Sequence, residues 1–444
     1  MKPNSDTVFH RQISHSYPAV VRGEGVYLWD ENGNRYLDGA AGAFVAILGQ
    51  GVDEIADAID EEMRRVTFAY TASFTSEKER ALTGKLVEWA PEGFDKAWIC
   101  TSGSNANETA IKLARQYHLI SGNPGKYRVV ARKHSYHGSS MGALSLTGAE
   151  PRRAPFEPLL LDFPHISPPN CYRCPLDLTY PACAAACANE LEEVVEQAGP
   201  ETVSAFIVEP MAGGPLGALV TPPEYLQSVR EICDRHDVLL IADEIISGIG
   251  RTGRNFAIEH SGVIPDIVTV AKGLGAGYVP IGGVLAHERI HAAFETPGTS
   301  FAHGESFTGH TAVCAAGLAT LEYIEVHDLV RRAGELGEYL GSRMDPLKDH
   351  PMVGKIRGHG LMRGAEFVAD KTTKRPFPRS EGIAERVARE CAERGLLILP
   401  GVAGADGSDG DTVVLGPPYV VTREEIDAMV SILGEAIRAV QATL

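Results

Sequence analysis

Long apolar runs are missing from this sequence of 444 residues. The longest, residues 40–48, contains a glycine and is far shorter than the roughly 18 apolar residues that a membrane-spanning helix requires. Residues 1–17 are polar and mixed, without the apolar core of a signal peptide. We therefore expect a cytoplasmic protein that has no membrane as a partner.

Basic charge is also scarce. The chain has 41 lysine and arginine residues against 58 aspartate and glutamate residues, which gives a net charge of −17. Such an acidic protein is poorly suited to bind a nucleic acid or an anionic membrane surface. A local pocket can still bind a small anion, so the charge balance excludes the large polyanionic partners only.

Cysteine is sparse as well, with 8 residues in the whole chain, which argues against a fold held together by disulfides. Otherwise the composition is ordinary for a globular protein, with 44% hydrophobic and 22% charged residues. The length corresponds to about three units of average domain size, or to two closely packed domains.

Short aliphatic runs alternate with amphipathic segments along the chain. The runs lie at residues 96–100, 128–131, 204–208, 238–242 and 266–271, and helical spacing occurs at 105–119, 189–198 and 223–236. This alternation predicts a mainly parallel sheet with helices on both faces. Beyond residue 328 long charged helices predominate, with strand-like segments at 361–368 and 412–415, which indicates a second, smaller α+β domain.

Polar and reactive residues follow the predicted strands, at the sheet edge where ligands bind in open parallel sheets. This edge receives a hydroxyl-rich helix start, an aromatic, two carboxylates and a lysine, which are Ser102, Gly103, Ser104, Tyr136, Glu209, Asp243 and Lys272. Pyridoxal phosphate needs a lysine for covalent attachment, a carboxylate at its ring nitrogen and a helix N-terminus at its phosphate. Each residue alone has an ordinary structural explanation, so the prediction depends on their arrival at one edge.

Four motifs carry a resemblance to a known family. They are residues 101–115 (TSGSNANETAIKLAR), 134–138 (HSYHG), 243–253 (DEIISGIGRTG) and 266–283 (DIVTVAKGLGAGYVPIGG). The last two place Asp243 and Lys272 29 residues apart and are highly specific together. On these motifs the chain resembles the class III, or ω-, aminotransferases, which are fold-type I enzymes dependent on pyridoxal phosphate.

The resemblance implies a fold. It consists of a large domain with a mainly parallel seven-stranded sheet between helices, and a small α+β domain built from both chain ends. Residues 25–38 look like the N-terminal strands of the family. We expect residues 1–50 to join the small domain, residues 51–325 to form the large cofactor-binding domain and residues 326–444 to form the C-terminal small domain.

The resemblance also implies roles for individual residues. Lys272 would bind the cofactor covalently and move a proton, Asp243 would pair with the ring nitrogen, and Glu209 would lie near the substrate. The other residues expected at the cofactor ring and phosphate are Ser102, Gly103, Ser104, Tyr136, His137 and Ile245. In these roles Tyr136 and Ile245 would contact opposite faces of the ring.

A homodimer is part of the same expectation. In residues 303–310 (HGESFTGH) the family usually has a threonine before the aromatic, and here Ser306 precedes Phe307. Because the hydroxyl is retained, the resemblance implies that Ser306 reaches the phosphate bound by the neighbouring subunit. The active site would then be shared between two copies of the chain.

One position indicates the substrates. Family members that use 2-oxoglutarate often have glutamine where this chain has Ile246. The isoleucine favours the branch that moves an amino group from an amine or ω-amino acid to a 2-oxo acid, with pyruvate as the expected acceptor. The alternative is a lyase, decarboxylase or epimerase on the same scaffold, since these enzymes share the lysine and the aspartate.

The chain departs from the family at the expected carboxylate-binding arginine. The usual positions correspond to Val414 and to the loop around Gly407, and neither is arginine. Either another cation binds a substrate carboxylate, or the donor is a plain or cationic amine. The candidate cations are Arg22, Arg153 and Arg254, and the loop aspartates that would favour a cationic donor are Asp406, Asp409 and Asp411.

Half of the cysteines lie in one proline-rich stretch, at Cys171, Cys174, Cys183 and Cys187. Four thiolates at short spacing fit a structural zinc site. The simpler interpretation is a set of buried thiols that order an irregular insertion. The sequence leaves both interpretations open, and we include no metal ligand among the predicted site residues.

Overall fold

The structure is a computed structural model that describes residues 7–13, 15–401 and 409–444. The strands within these ranges are β1 (Val20–Glu24), β2 (Tyr27–Asp30), β3 (Arg35–Asp38), β4 (Phe94–Cys100), β5 (Arg128–Arg132), β6 (His165–Ile166), β7 (Val203–Val208), β8 (Leu239–Asp243), β9 (Ile267–Ala271), β10 (Gly282–His287), β11 (Val353–His359), β12 (Met362–Phe367), β13 (Leu396–Leu397), β14 (Leu399–Gly401) and β15 (Asp411–Leu415).

The α-helices of the same ranges are α1 (Ala41–Phe44), α2 (Asp53–Arg65), α3 (Glu77–Trp89), α4 (Gly103–Ile120), α5 (Met141–Leu146), α6 (Glu150–Arg153), α7 (Asn189–Ala198), α8 (Pro223–Arg235), α9 (Glu288–Phe294), α10 (Thr311–Val326), α11 (Leu329–Met344), α12 (Ile383–Glu393) and α13 (Arg423–Gln441). Within the described part of the chain, no helix combines the length and apolarity needed to cross a bilayer.

The central sheet has the order β4-β10-β9-β8-β7-β5-β6. Strand β10 is antiparallel to both of its neighbours, and the other pairs are parallel. The prediction of a mainly parallel seven-stranded sheet is therefore confirmed. Each of the predicted strands is present, with ends that differ from the predicted ones by at most about two residues.

Both faces of this sheet are covered. Along β7 every residue is buried. Ala205 and Ile207 pack in the same core cluster as the alanines of α4, whereas Phe206 and Val208 pack in the larger cluster on the other face. The continuous apolar run of β7 thus follows from burial on two faces, as expected for a strand in the centre of a parallel sheet.

Two smaller sheets complete the fold, with the orders β1-β2-β3-β13 and β11-β12-β15-β14. Strand β3 pairs in parallel with β13, so that Leu37 lies opposite Leu396. Strands from both chain ends therefore share a sheet, as the small α+β domain requires. The domain limits near residues 50 and 325 stay a prediction.

The register of the central sheet brings the predicted residues to one edge. Val208 pairs with Ala242 and Asp243 pairs with Thr269, so β7, β8 and β9 end side by side. On the far side of β9, Gly282 begins β10 so close to the start of α4 that a Cβ there would lie 2.3 Å from the Ser102 carbonyl oxygen. Glycine at this position lets the helix start approach the ends of the strands.

Candidate active site

A cavity of about 280 Å³ opens at this edge. Nine of the ten residues expected at the cofactor or substrate line it, which are Ser102, Gly103, Ser104, Tyr136, His137, Glu209, Asp243, Ile245 and Lys272. Ile246, expected to affect the choice of substrate, also lines the cavity. The chain thus brings together residues that lie up to 170 positions apart (272 − 102).

Asp243 is the last residue of β8 and is buried. One carboxylate oxygen accepts hydrogen bonds from Asn107 Nδ2 at 2.8 Å and His137 Nδ1 at 2.7 Å. The other oxygen accepts from the backbone N–H of Ile245 at 3.1 Å. These three donors fix the orientation of the carboxylate at the floor of the cavity.

Lys272 follows β9 directly, with a left-handed backbone φ of 44°. Burial lowers the pKa of its amine to about 8, although the negative charges of Asp243 and Glu209 act in the opposite direction. The amine also lies 5.8 Å from the centre of the Phe44 ring. A lysine with this pKa is partly unprotonated near neutral pH, so it is a competent nucleophile toward an aldehyde.

The N-terminus of α4 faces the same cavity. Ser102 caps the helix, because its Oγ accepts a hydrogen bond from the N–H of Asn105 at 3.2 Å. The next residue, Gly103, has no room for a side chain, since a Cβ would lie 2.9 Å from Cδ1 of Ile245. The bare backbone and the helix dipole make this position suitable for a phosphate group.

Glu209 follows β7 and is buried. Its carboxylate accepts hydrogen bonds from the backbone N–H groups of Tyr136, at 3.2 Å, and Gly213, at 2.8 Å. Burial raises the pKa of Glu209. Through these two hydrogen bonds, Glu209 connects the segment that carries Tyr136 to the end of β7.

Pyridoxal phosphate fits this set of groups. The cavity offers an amine with a lowered pKa, a fixed buried carboxylate and an uncrowded helix N-terminus, which are the partners of its aldehyde, ring nitrogen and phosphate. Tyr136 and Ile245 line the same cavity and provide an aromatic and an aliphatic surface. The family model for aminotransferase class III matches residues 8–437.

The chain belongs to the class III aminotransferases. An uncharacterised aminotransferase of Schizosaccharomyces pombe is 39% identical over 440 residues, which cover 98% of this chain and 96% of that protein. A diaminobutyrate–2-oxoglutarate transaminase of Halomonas elongata is 36% identical, with coverage of 96% and 91%. The crystal structure of an (S)-enantioselective ω-transaminase from Thermomicrobium roseum matches with a TM-score of 0.89 at 36% identity, covering 96% of this chain and 93% of that one.

This membership confirms the predicted activity class and cofactor. The protein is an aminotransferase that depends on pyridoxal phosphate. It takes amine and oxo-acid substrates, as the family does. The roles of the individual cavity residues remain predictions.

Ser306 lies outside the central cavity of the aminotransferase. It lines a neighbouring one together with Tyr70, Phe74 and Glu305. The two cavities adjoin, because Thr101, which lines the first, donates a hydrogen bond to Glu305 at 3.2 Å. In a single chain Ser306 therefore does not take part in the phosphate site at α4.

Three site residues were missed by the sequence interpretation. Asn107 lies one turn into α4 and bonds Asp243. Its only signal is a polar side chain on a helix side that also buries Ala106, Ala110 and Ala114. Phe44 and Arg152 carry no such signal, and only the folded chain places them near Lys272 and Tyr136.

The arginines proposed from the sequence are placed elsewhere in the aminotransferase. Arg22 pairs with Glu24 on the exposed edge strand β1. Arg153 donates hydrogen bonds to the carbonyl oxygens of Ser145 and Thr147. Arg254 lies near Glu259, where its positive charge partly offsets the burial that raises the pKa of this carboxyl. None of the three lines the central cavity among the described residues, so the single chain gives these candidates no support, and their role in carboxylate binding stays a prediction.

The loop aspartates also differ from the expectation. Asp411 accepts a hydrogen bond from Arg379 at 2.7 Å, and Asp409 accepts one from the Arg379 backbone N–H at 2.9 Å. Asp406 and Gly407 lie outside the described residues. Val414 is fully buried in β15. Two of the three aspartates thus serve the packing of α12 and do not supply negative charge for a cationic donor.

Proposed function

We propose that this aminotransferase moves an amino group from an amine or an ω-amino acid to pyruvate. The observation that carries the proposal is Arg152, an exposed arginine that lies beside the cavity-lining Tyr136 and has no hydrogen bond or ion pair within the described residues. The guanidinium carbon of Arg152 lies 4.8 Å from the centre of the Tyr136 ring. Its positive charge also contributes to the lowered pKa of Lys272.

Arg152 is available to a substrate. It lies on α6 and is exposed, and within residues 7–13, 15–401 and 409–444 its guanidinium has no hydrogen bond or ion pair. An arginine held over an aromatic face is suited to a carboxylate, which it can bind through two parallel hydrogen bonds. It therefore supplies the cation that the chain lacks at position 414.

One cation favours a substrate with one carboxylate. Pyruvate has a single carboxylate, whereas 2-oxoglutarate has two, and a carboxylate held in a partly desolvated site without a cation is costly. Near the cavity, Ile246 and Met211 add apolar surface that suits the hydrocarbon body of an amine. Family membership does not decide the acceptor, because a relative at 36% identity is named for 2-oxoglutarate.

The chemistry of the transfer is divided between the cofactor and the chain. Pyridoxal phosphate, when bound, supplies an aldehyde that joins to amines and a ring that withdraws electrons from the adjacent carbon. Lys272 provides the amine that binds this aldehyde and, once displaced, a base at Nζ that accepts and returns a proton. Asp243 would hold a proton on the ring nitrogen, and His137 and Asn107 keep its carboxylate in place.

The remaining groups bind and orient. The first turn of α4 and Ser104 would hold the phosphate, and Tyr136 and Ile245, which line the same cavity, would contact the ring. Glu209 fixes the backbone of Tyr136. Because Arg152 lies against the ring of this tyrosine, a carboxylate that it binds would lie next to the cavity.

We also propose that the active enzyme is a homodimer. Several large apolar side chains near Ser306 are solvent-exposed in the single chain, which are Phe68, Tyr70, Phe74 and Phe307. A group of exposed aromatic side chains of this kind indicates a protein interface. A second copy seated there would bring its own Ser306 toward the phosphate at the first copy's α4.

The experiment that tests the substrate proposal compares kcat/KM for matched pairs. The acceptors are pyruvate and 2-oxoglutarate, and the donors are butylamine, 4-aminobutanoate and glutamate. We expect pyruvate to exceed 2-oxoglutarate by about tenfold or more, the equivalent of about 1.4 kcal/mol, and glutamate to be the poorest donor. A preference for 2-oxoglutarate and glutamate would contradict the proposal.

A further inference from the structure

The segment between β6 and α7, residues 167–188, has little regular structure. It contains two 3-10 turns, Cys171–Arg173 and Ala186–Ala188, each of 3 residues. Ordered segments of this length without helices or strands are uncommon, and they need some other source of order. In this chain the same segment contains four of the 8 cysteines.

These cysteines converge in space. The thiol cluster, which is Cys171, Cys174, Cys183 and Cys187, lines one small cavity together with Asn170 and Tyr180. All four are free thiols. Four thiols around one cavity are a set that a cation can stabilise as thiolates.

We propose that the thiol cluster binds one Zn²⁺ ion as a structural site. The pattern consists of two close pairs, with two residues between Cys171 and Cys174 and three between Cys183 and Cys187. Each pair supplies two ligands on neighbouring turns of chain, and four sulfurs close the tetrahedron that zinc prefers in structural sites. Binding releases the thiol protons to solvent and leaves four thiolates around the ion.

Zinc binding would require the four cysteine side chains to move closer together. No three sulfurs of the thiol cluster lie within 4.8 Å of one another, so the side chains must rotate into their shared cavity to reach the Zn–S distance of about 2.3 Å. The compact ligand group within the described residues is Glu192, Glu196 and His236. That group carries no proposal, because Glu192 already pairs with Arg235 at the surface.

The hydrogen bonds made by this segment indicate what a bound zinc ion would stabilise. Arg173, between the first two cysteines, donates to Glu366 on β12 at 2.5 Å. The other oxygen of Glu366 binds Arg357, which donates to the carbonyl oxygens of Leu216 and Gly217. This network connects the segment to the small sheet and to the loop that follows Glu209. A zinc ion would hold the segment in the conformation that presents Arg173 to the network.

The test is metal analysis of the untagged holoenzyme, purified without chelators or added metal. We expect about one zinc per chain that survives desalting, and four thiols that react with a thiol reagent only after a chelator is added. Cobalt reconstitution should give the absorption of a tetrahedral thiolate site. Zinc below about a tenth of an equivalent, iron in its place, or disulfides within the thiol cluster would each overturn the proposal.

Variants locate the ion. Cys171→Ser and Cys183→Ser each remove one ligand from a different pair, and we expect zinc to fall below about a tenth of an equivalent in both. The matched control is Cys391→Ala on α12, which removes a buried thiol outside the thiol cluster and should keep its zinc. Full zinc content in both serine variants would overturn the assignment. If a serine variant does not fold, the metal content and thiol protection of the unaltered enzyme still decide the matter.

Discussion

His137 Nδ1 lies 2.7 Å from the carboxylate of Asp243, and both side chains are buried. Since a carboxylate accepts at this distance, the proton of the imidazole is on Nδ1. Together with Asn107 Nδ2 at 2.8 Å, the histidine prevents the carboxylate from rotating. The negative charge is thereby held at one place in the cavity, where the ring nitrogen of the cofactor would be.

The first prediction concerns the charge at this position. Asp243→Asn keeps the shape but cannot hold a proton on the ring nitrogen, so the cofactor remains bound while its electron-withdrawing capacity falls. We expect kcat to decrease by at least about a hundredfold. Steady-state kinetics, with cofactor occupancy measured by absorbance, checks this. A variant with a rate near that of the unaltered enzyme would show that Asp243 does not serve the ring.

The second prediction follows from the pKa of Lys272, which burial lowers to about 8. The apoenzyme should bind the cofactor covalently at a rate that rises about tenfold per pH unit below pH 8 and levels off above it. An ordinary lysine would level off only near about pH 10.4. Stopped-flow absorbance across this range measures the profile, and a continued rise above pH 9 would contradict the lowered pKa.

The same pKa has a consequence for stability. Because the folded pKa is below the unfolded value of about 10.4, the unfolded chain binds more protons between about pH 8 and 10.4, and the stability of the apoenzyme rises with pH there. Lys272→Ala should remove this contribution.

The same variant tests the covalent role of Lys272. Lys272→Ala should abolish the adduct that borohydride traps between enzyme and cofactor, and an adduct trapped at another lysine would contradict the assignment.

The third prediction separates the carboxylate of the acceptor from its carbonyl. Arg152→Gln should lower kcat/KM for pyruvate by about ten- to a hundredfold, the effect of losing a charged hydrogen-bonded pair. The rate with butanal, which has no carboxylate, should hardly change. Arg254→Gln is the matched control, because Arg254 is exposed and lies away from the cavity. Equal losses with pyruvate and butanal would show that Arg152 does not bind the carboxylate.

The fourth prediction concerns the neighbouring subunit. If Ser306 of a second copy donates to the phosphate, Ser306→Ala should weaken cofactor retention by about tenfold or more, since such a bond contributes about 1.5–3 kcal/mol. Ser431→Ala, an exposed serine on α13, is the control and should retain the cofactor normally. Cofactor loss on dialysis measures the effect. Full activity in a monomeric species in sedimentation would contradict the shared site.

The central strands could be predicted closely because buried aliphatic runs have few alternatives. The six residues of β7 are all buried. A run this apolar is unfavourable in an exposed segment, so a strand in the centre of the sheet is the placement that fits it. Strand β10 was not recognised, because Gly282 and Gly283 read as the end of a glycine-rich motif. Its antiparallel place between β4 and β9 depends on pairing partners far along the chain.

The site residues also divide into those that the strand topology predicts and those that it does not. Lys272 and Asp243 follow strand ends, so the parallel topology alone predicts that they meet. Arg152 could not be found in this way. It is adjacent to Arg153 in the same short helix, and the two side chains point to different partners, one over Tyr136 and the other to the Ser145 carbonyl oxygen. A difference of one position on a helical turn decides which arginine lies beside the cavity-lining Tyr136.

The most direct test of the account is a competition between acceptors in one reaction. The enzyme receives butylamine labelled with heavy nitrogen, together with equal concentrations of pyruvate and 2-oxoglutarate, and mass spectrometry follows the label in early products. We expect the label to appear in alanine in large excess over glutamate. Label mainly in glutamate would contradict the proposed acceptor, and label released as ammonia would contradict amino-group transfer itself.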